Sequence, residues 1–98
     1  MDDLIDSIVD WGRARNINNP DLQAGKISEE LGELWGRFNH GDHDSVLVKD
    51  AIGDIFVATT ILADIVGTDI ESCVRTAWWQ IKDRKGKTVN GMFIKDNN

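Results

Sequence analysis

The segment Lys26-Ile27-Ser28-Glu29-Glu30-Leu31-Gly32-Glu33-Leu34 sets Glu30 and Glu33 three residues apart, which on a helix is one turn and one face. Two carboxylates so placed can share a hard cation. Asp50 and Asp54 repeat the arrangement at a spacing of four, and Asp54 stands beside Gly53 at the head of the most apolar stretch of the chain. An unpartnered charge there is costly. Four carboxylates on two adjacent antiparallel helices make an oxygen-rich cage suited to Mg²⁺, which prefers carboxylate and water to nitrogen or sulfur. Plainer readings stand beside this one. Lys26 and Arg37 lie on the same stripe, so Glu33 and Arg37 also form an ordinary i,i+4 surface pair, and Asp54 can equally be neutralised by a cation such as Lys26 or Arg75.

Other residues bear on phosphate chemistry. Lys82, Arg84, Lys85 and Lys87 cluster after the fourth apolar segment, where they could meet phosphate or simply complement a helix C-terminus. Lys82 shares a stripe with Arg75 and Trp79, distinct from the expected core stripe Val74, Ala77, Trp78, Ile81. Trp79 is a dimer contact or a cation-π partner of Arg75. Trp11, Trp35 and Phe38 offer flat rings to a nucleobase or to the core. Glu29, about 100° round the helix from Glu30, orients or deprotonates an attacking water, or is a solvated glutamate. His40 and His43 have no cysteines or HExxH pattern beside them, so they read as solvent-facing rather than zinc ligands. No P-loop, Gly-rich phosphate motif or Ser/His/Asp set is present.

Positioning these groups falls to helices. Apolar residues recur at helical spacing over about 3–16, 20–39, 43–66 and 69–85, with a tail over 86–98. Asn19 caps the second helix with Pro20 at its first position, and Gly41 closes it. Asp42 or Asp44 caps the third, which ends at Gly67. Thr68-Asp69-Ile70-Glu71 has the form of a capping box for the fourth, while Asn90-Gly91 suits a tight hairpin or an ordered irregular tail. Gly25, Gly32 and Gly36 form one stripe that lets the second and third helices approach closely, or serves dimer packing. The third helix is apolar nearly all round and wants cover on every side. The expected fold is therefore an all-α, four-helix single domain over 1–98, with helix 3 central in a bundle completed in a homodimer or homotetramer.

Composition bounds the function. Ninety-eight residues and 11.0 kDa hold one small domain. Eleven Lys and Arg against 17 Asp and Glu, a net charge of -6 and a pI near 4.7 argue against nucleic-acid binding. The apolar run from Ile55 to Val66 is broken by Thr59, Thr60 and Asp64 and falls short of the roughly 20 residues a membrane span needs. Met1-Asp2-Asp3 lacks the positive start of a signal peptide. The single Cys73 excludes an internal disulfide. Together these describe a soluble, cytoplasmic protein with no membrane partner.

Glu29-Glu30-x-x-Glu33, followed about twenty residues later by an acidic residue and Gly53-Asp54 at the head of an apolar helix, resembles the MazG-like branch of the all-α nucleoside triphosphate pyrophosphohydrolases. The likeness runs from Lys26 to the tail, where Lys82-Asp83-Arg84-Lys85-Gly86-Lys87 and Val89-Asn90-Gly91 are similar to short, often phage-encoded members. It implies a Mg²⁺ enzyme, with Mn²⁺ as substitute, that splits a (d)NTP into monophosphate and pyrophosphate, in the host cytoplasm where the gene is a phage's. It implies Glu30, Glu33 and Asp54 as metal ligands. The family's E-x-x-D motif is altered, since Ala51 stands three residues before Asp54, and Asp50, one position earlier on the same helical face, takes that place. Glu29 and Glu30 are then catalytic, Lys26, Lys82, Arg84 and Lys85 meet phosphate, and Trp11 and Trp35 meet the base. The alternatives are a catalytically silent helical module for nucleotide or protein binding, and a related enzyme acting on another phosphorylated small molecule.

Overall fold

Capping chemistry sets the helix ends in the computed structural model, which describes residues 2–41 and 43–97. The elements are α1 (Asp2–Ala14), α2 (Pro20–Asn39), α3 (Ser45–Ile65) and α4 (Ile70–Ile81), then β1 (Gly86–Val89) and β2 (Met92–Lys95). The fold is all-α but for that terminal hairpin. Asn19 Oδ1 accepts the Leu22 N–H at 3.1 Å, ahead of Pro20 in the first turn of α2. Gly41, with φ of 76°, follows its end. Asp44 caps α3 by accepting from the N–H groups of Val46 and Leu47 at 2.9 and 3.2 Å. The helix thus starts at Ser45 rather than 43, and Asp42, the other candidate cap, lies outside the described residues.

Three further boundaries depart from expectation. Helix α1 stops at Ala14 rather than 16, because Asn16 takes a left-handed φ of 57° and the Ile17 N–H turns back to the Gly12 carbonyl at 3.1 Å. The cap of α4 is Asp69 rather than Thr68, since its carboxylate accepts both the N–H and the hydroxyl of Ser72 at 2.8 and 2.9 Å. The same helix ends at Ile81 rather than 85. The Lys85 carbonyl accepts the Asp96 N–H at 2.9 Å, which commits that residue to the hairpin. Asn90 and Gly91, at φ of 52° and 79°, make the left-handed pair that a two-residue type I′ turn requires. They pair Val89 with Met92, so the tail is a hairpin.

Helix α3 is central and packs against α1, α2 and α4, most extensively against α2. Its buried face is made of small side chains, Ala51, Ala58 and Ala63, with Ile61 and Thr60. Buried Gln23 ties α2 to it by donating Nε2–H to the Ala58 carbonyl at 3.1 Å. Close approach belongs to α1, where a Cβ on Gly12 would lie 3.2 Å from Ile61 Cγ1. The glycine stripe of α2 does not serve that end, as the space beside Gly25, Gly32 and Gly36 is open. Those glycines lie on the side of the helix away from Gln23, Lys26 and Glu30, the face that meets α3. The stripe Val74, Ala77, Trp78, Ile81 is likewise not core: Val74 and Trp78 are each 56% exposed and border an open groove with Ile5 of α1 and Phe56 of α3. Among the described residues no helix is long and apolar enough to cross a membrane.

Candidate active site

Residues 23, 26 and 30 follow one another at i, i+3 and i+7 on α2, so a single stripe carries Gln23, Lys26 and Glu30 toward α3. On α3, Asp54, Val57, Ala58 and Ile61 form the facing stripe. Between them and the α1–α2 loop lies an open cavity of about 820 Å³, which Trp11 also lines. One end holds Lys26, Glu30 and Asp54; the other holds Trp11 and the loop residues Asn16, Asn18 and Asn19.

The charged end is crowded with like charge. Lys26 Nζ stands 3.5 Å from Glu30 Oε1, and the Glu30 side chain is only 12% exposed. Asp54 sits at the rim. Loss of hydration pushes its carboxyl above the usual carboxylate range, the charges of Asp50 and Glu30 push it further, and Lys26 opposes them. Asp50 lies on the far side of Asp54, in an adjoining shallow cavity with Val46, Leu47, Lys49, Gly53 and Val57. The donors Glu30, Asp50 and Asp54 are all carboxylate oxygens, the chemistry a hard divalent cation takes. As the side chains stand, no three Asp, Glu, His or Cys residues among those described converge tightly enough to hold an ion.

The other expected site residues are dispersed. Glu29 and Glu33 are exposed on α2 and outside the 820 Å³ cavity. Trp35 is also outside it and 70% exposed. Arg84 and Lys85 line a different cavity, polar and about 790 Å³, with Gln80, Asp83, Lys95 and Asp96. Lys82 Nζ lies 4.1 Å over the Trp79 ring, so it is Lys82 that makes the cation-π contact, while Arg75 pairs with Glu71 at 2.6 Å. His40 and His43 are exposed, the latter with its ring 4.7 Å from that of Phe38. Within one chain the basic cluster therefore does not line the acidic cavity.

Sequence reasoning missed the loop end. In the sequence Asn16 to Asn19 reads only as a helix stop, and Gln23 is not singled out. The available signal is the spacing of Gln23 to Lys26 and Glu30, which assigns a neutral polar side chain to the same inward stripe as the charges.

Over 66 residues the chain is 38% identical to an uncharacterized 18.2 kDa protein of the rep–hol intergenic region of Haemophilus phage HP1 (strain HP1c1). The matched stretch is 64% of this chain and 39% of that protein, so the chain spans well under half the length of the relative. No protein-family model and no solved structure matches the chain.

Proposed function

We propose that this chain is a Mg²⁺-dependent nucleoside triphosphate pyrophosphohydrolase of the MazG-like kind, converting a (d)NTP to monophosphate and pyrophosphate. The observation that carries the reading is the meeting of Glu30 from α2 and Asp54 from α3 in one cavity with Lys26 and Trp11. Along α2 that cavity extends from Asn19 to Glu30, about 16 Å at 1.5 Å per residue, long enough for a nucleotide laid lengthwise. In this reading Glu30, Asp50 and Asp54 would hold the cation, with Mn²⁺ as substitute, and Glu33, one turn along α2 from Glu30 but outside the cavity, would turn toward it to complete the set. A bound divalent cation supplies charge neutralisation at the phosphate oxygens and makes water more acidic. Glu29 or Glu30 accepts the proton of the attacking water. Lys26 faces phosphate, and Trp11, which lines the cavity, meets the base rather than Trp35, which does not. Lys82, Arg84 and Lys85 stand apart from this cavity in a single chain. The protein works as a homo-oligomer in the cytoplasm, the host's if the gene is a phage's.

The direct test incubates the full chain with Mg²⁺ and each common NTP and dNTP, including dUTP, and separates the products by ion exchange. Monophosphate with pyrophosphate, lost with EDTA and in Asp54→Asn, is the expected result. Equal turnover in wild type and Asp54→Asn overturns the assignment. A second reading, a silent nucleotide-binding module, draws on the Lys26–Glu30 pair, in which an ammonium already neutralises a carboxylate that the cation would need. Nucleotide binding without product selects it.

A further inference from the structure

The chain exposes 7669 Å², about 2,000 Å² more than the roughly 5,600 Å² expected of a folded monomer of 11.0 kDa. Its radius of gyration is 16.0 Å, where about 13 Å is usual for this length. An excess of that size matches what each partner buries in an obligate homodimer, whose interfaces total about 2,000–5,000 Å². Helix α4 is where the unburied surface is most regular. It has no buried residue, and Ile70, Val74, Ala77 and Ile81 follow one another at spacings of four, three and four with Trp78 beside them. That spacing is the seam of a paired helix. Next to it an apolar groove of about 400 Å³ opens over Phe56, walled by Ile5, Val74 and Trp78.

Charge selects the occupant. Asp69 and Glu71 mark the start of α4, and Lys82, Arg84 and Lys85 follow its end, where they outnumber Asp83, which lies 3.4 Å from Lys82 Nζ. A helix of opposite-signed ends complements itself when two copies run antiparallel and repels itself when they run parallel. Glu71 and Lys82 are eleven residues apart, three turns and nearly one direction, so both flank the same side of the stripe. A two-fold axis maps that flank onto itself with the helix direction reversed, and Glu71 of each copy, which in its own chain pairs with Arg75 at 2.6 Å, then also faces Lys82 of the other. Small Ala77 lies at the crossing, where the two backbones come closest.

We infer that the exposed face of α4 binds a second copy of this chain, the two α4 helices packing antiparallel about a two-fold axis near Ala77. The inference rests on the homo-oligomer part of the reading above and is independent of the reaction. Light scattering of the full chain at 100 µM should give twice the chain mass or an even multiple of it. Val74→Asp should reduce that mass with helical circular dichroism retained. If that variant fails to fold, sedimentation equilibrium of two surface variants decides: Glu71→Lys and Lys82→Glu should each raise the dimer Kd at least tenfold, and their combination should restore it. A monomeric wild type overturns both the surface and the oligomer, and leaves the stripe to a different protein. A dimer whose Kd is unmoved by either charge reversal, or not restored by the pair, overturns the α4 surface while the oligomer stands.

Discussion

The guanidinium of Arg13 meets the carboxylate of Asp64 side-on, Nε to Oδ2 at 3.0 Å and Nη2 to Oδ1 at 2.6 Å, joining α1 to the last turns of α3 across fifty-one residues of sequence. Two parallel hydrogen bonds fix the relative rotation of the helices in a way one ammonium would not.

Because Arg13 bonds to it, Asp64 is held below the usual carboxylate range. A carboxyl whose pKa is lowered on folding stabilises the protein above the ordinary aspartate range and loses that contribution as pH falls through the lowered value. Thermal melts should show Arg13→Ala less stable than wild type at pH 7, with the gap narrowing at pH 3. A gap that is constant with pH would mean that Arg13 acts through its alkyl stem rather than through Asp64.

Gly12 is a packing position. A Cβ there would sit 3.2 Å from Ile61 Cγ1, so the neighbour must shift. Gly12→Val should lower Tm, since overfilling a packed site costs about 1–3 kcal/mol. Trimming the obstacle with Ile61→Val in the same chain should recover part of the loss. Non-additivity measured by a double-mutant cycle is the diagnostic.

Gln23 tests the α2–α3 seam. Its buried amide donates to the Ala58 carbonyl at 3.1 Å, and a lost intramolecular hydrogen bond of this kind costs about 1 kcal/mol. Gln23→Leu should therefore lower Tm by several degrees in a domain this small, read by circular dichroism. An unchanged Tm would show that apolar burial replaces the bond without loss.

Local chemistry makes the helices legible in the amino-acid sequence. Asn19-Pro20, Gly41 and Gly67 each mark an end because capping and left-handed geometry depend on a few adjacent residues. The errors lie where two local signals compete. Thr68 and Asp69 both offer an oxygen to cap α4, and the choice goes to the carboxylate that reaches both donors of Ser72. Tertiary direction is harder to read. Nothing in the spacing of Gly25, Gly32 and Gly36 says which way the stripe faces, and single Gly12 supplies the close approach instead. The site is half legible for the same reason. Periodicity assigns Lys26 and Glu30 to one stripe, but which residues of the α1–α2 loop and of α3 stand opposite follows only from the packing of three helices.

Asp54 separates site from scaffold. Its carboxyl is raised by lost hydration and by the charges of Asp50 and Glu30, so at neutral pH its ionised form works against folding. The cost is relieved as pH falls through the raised value. In EDTA at pH 7, Asp54→Asn should match or exceed wild type in Tm, and the difference should narrow as pH falls through the raised value of the wild-type carboxyl. Added Mg²⁺ should raise the wild-type Tm, because a ligand that binds only the native state stabilises it by mass action, and should leave Asp54→Asn unmoved. If the variant is instead the less stable protein in EDTA, Asp54 is a structural partner of Lys26 and the crowded carboxylates of α2 and α3 are not a cation site.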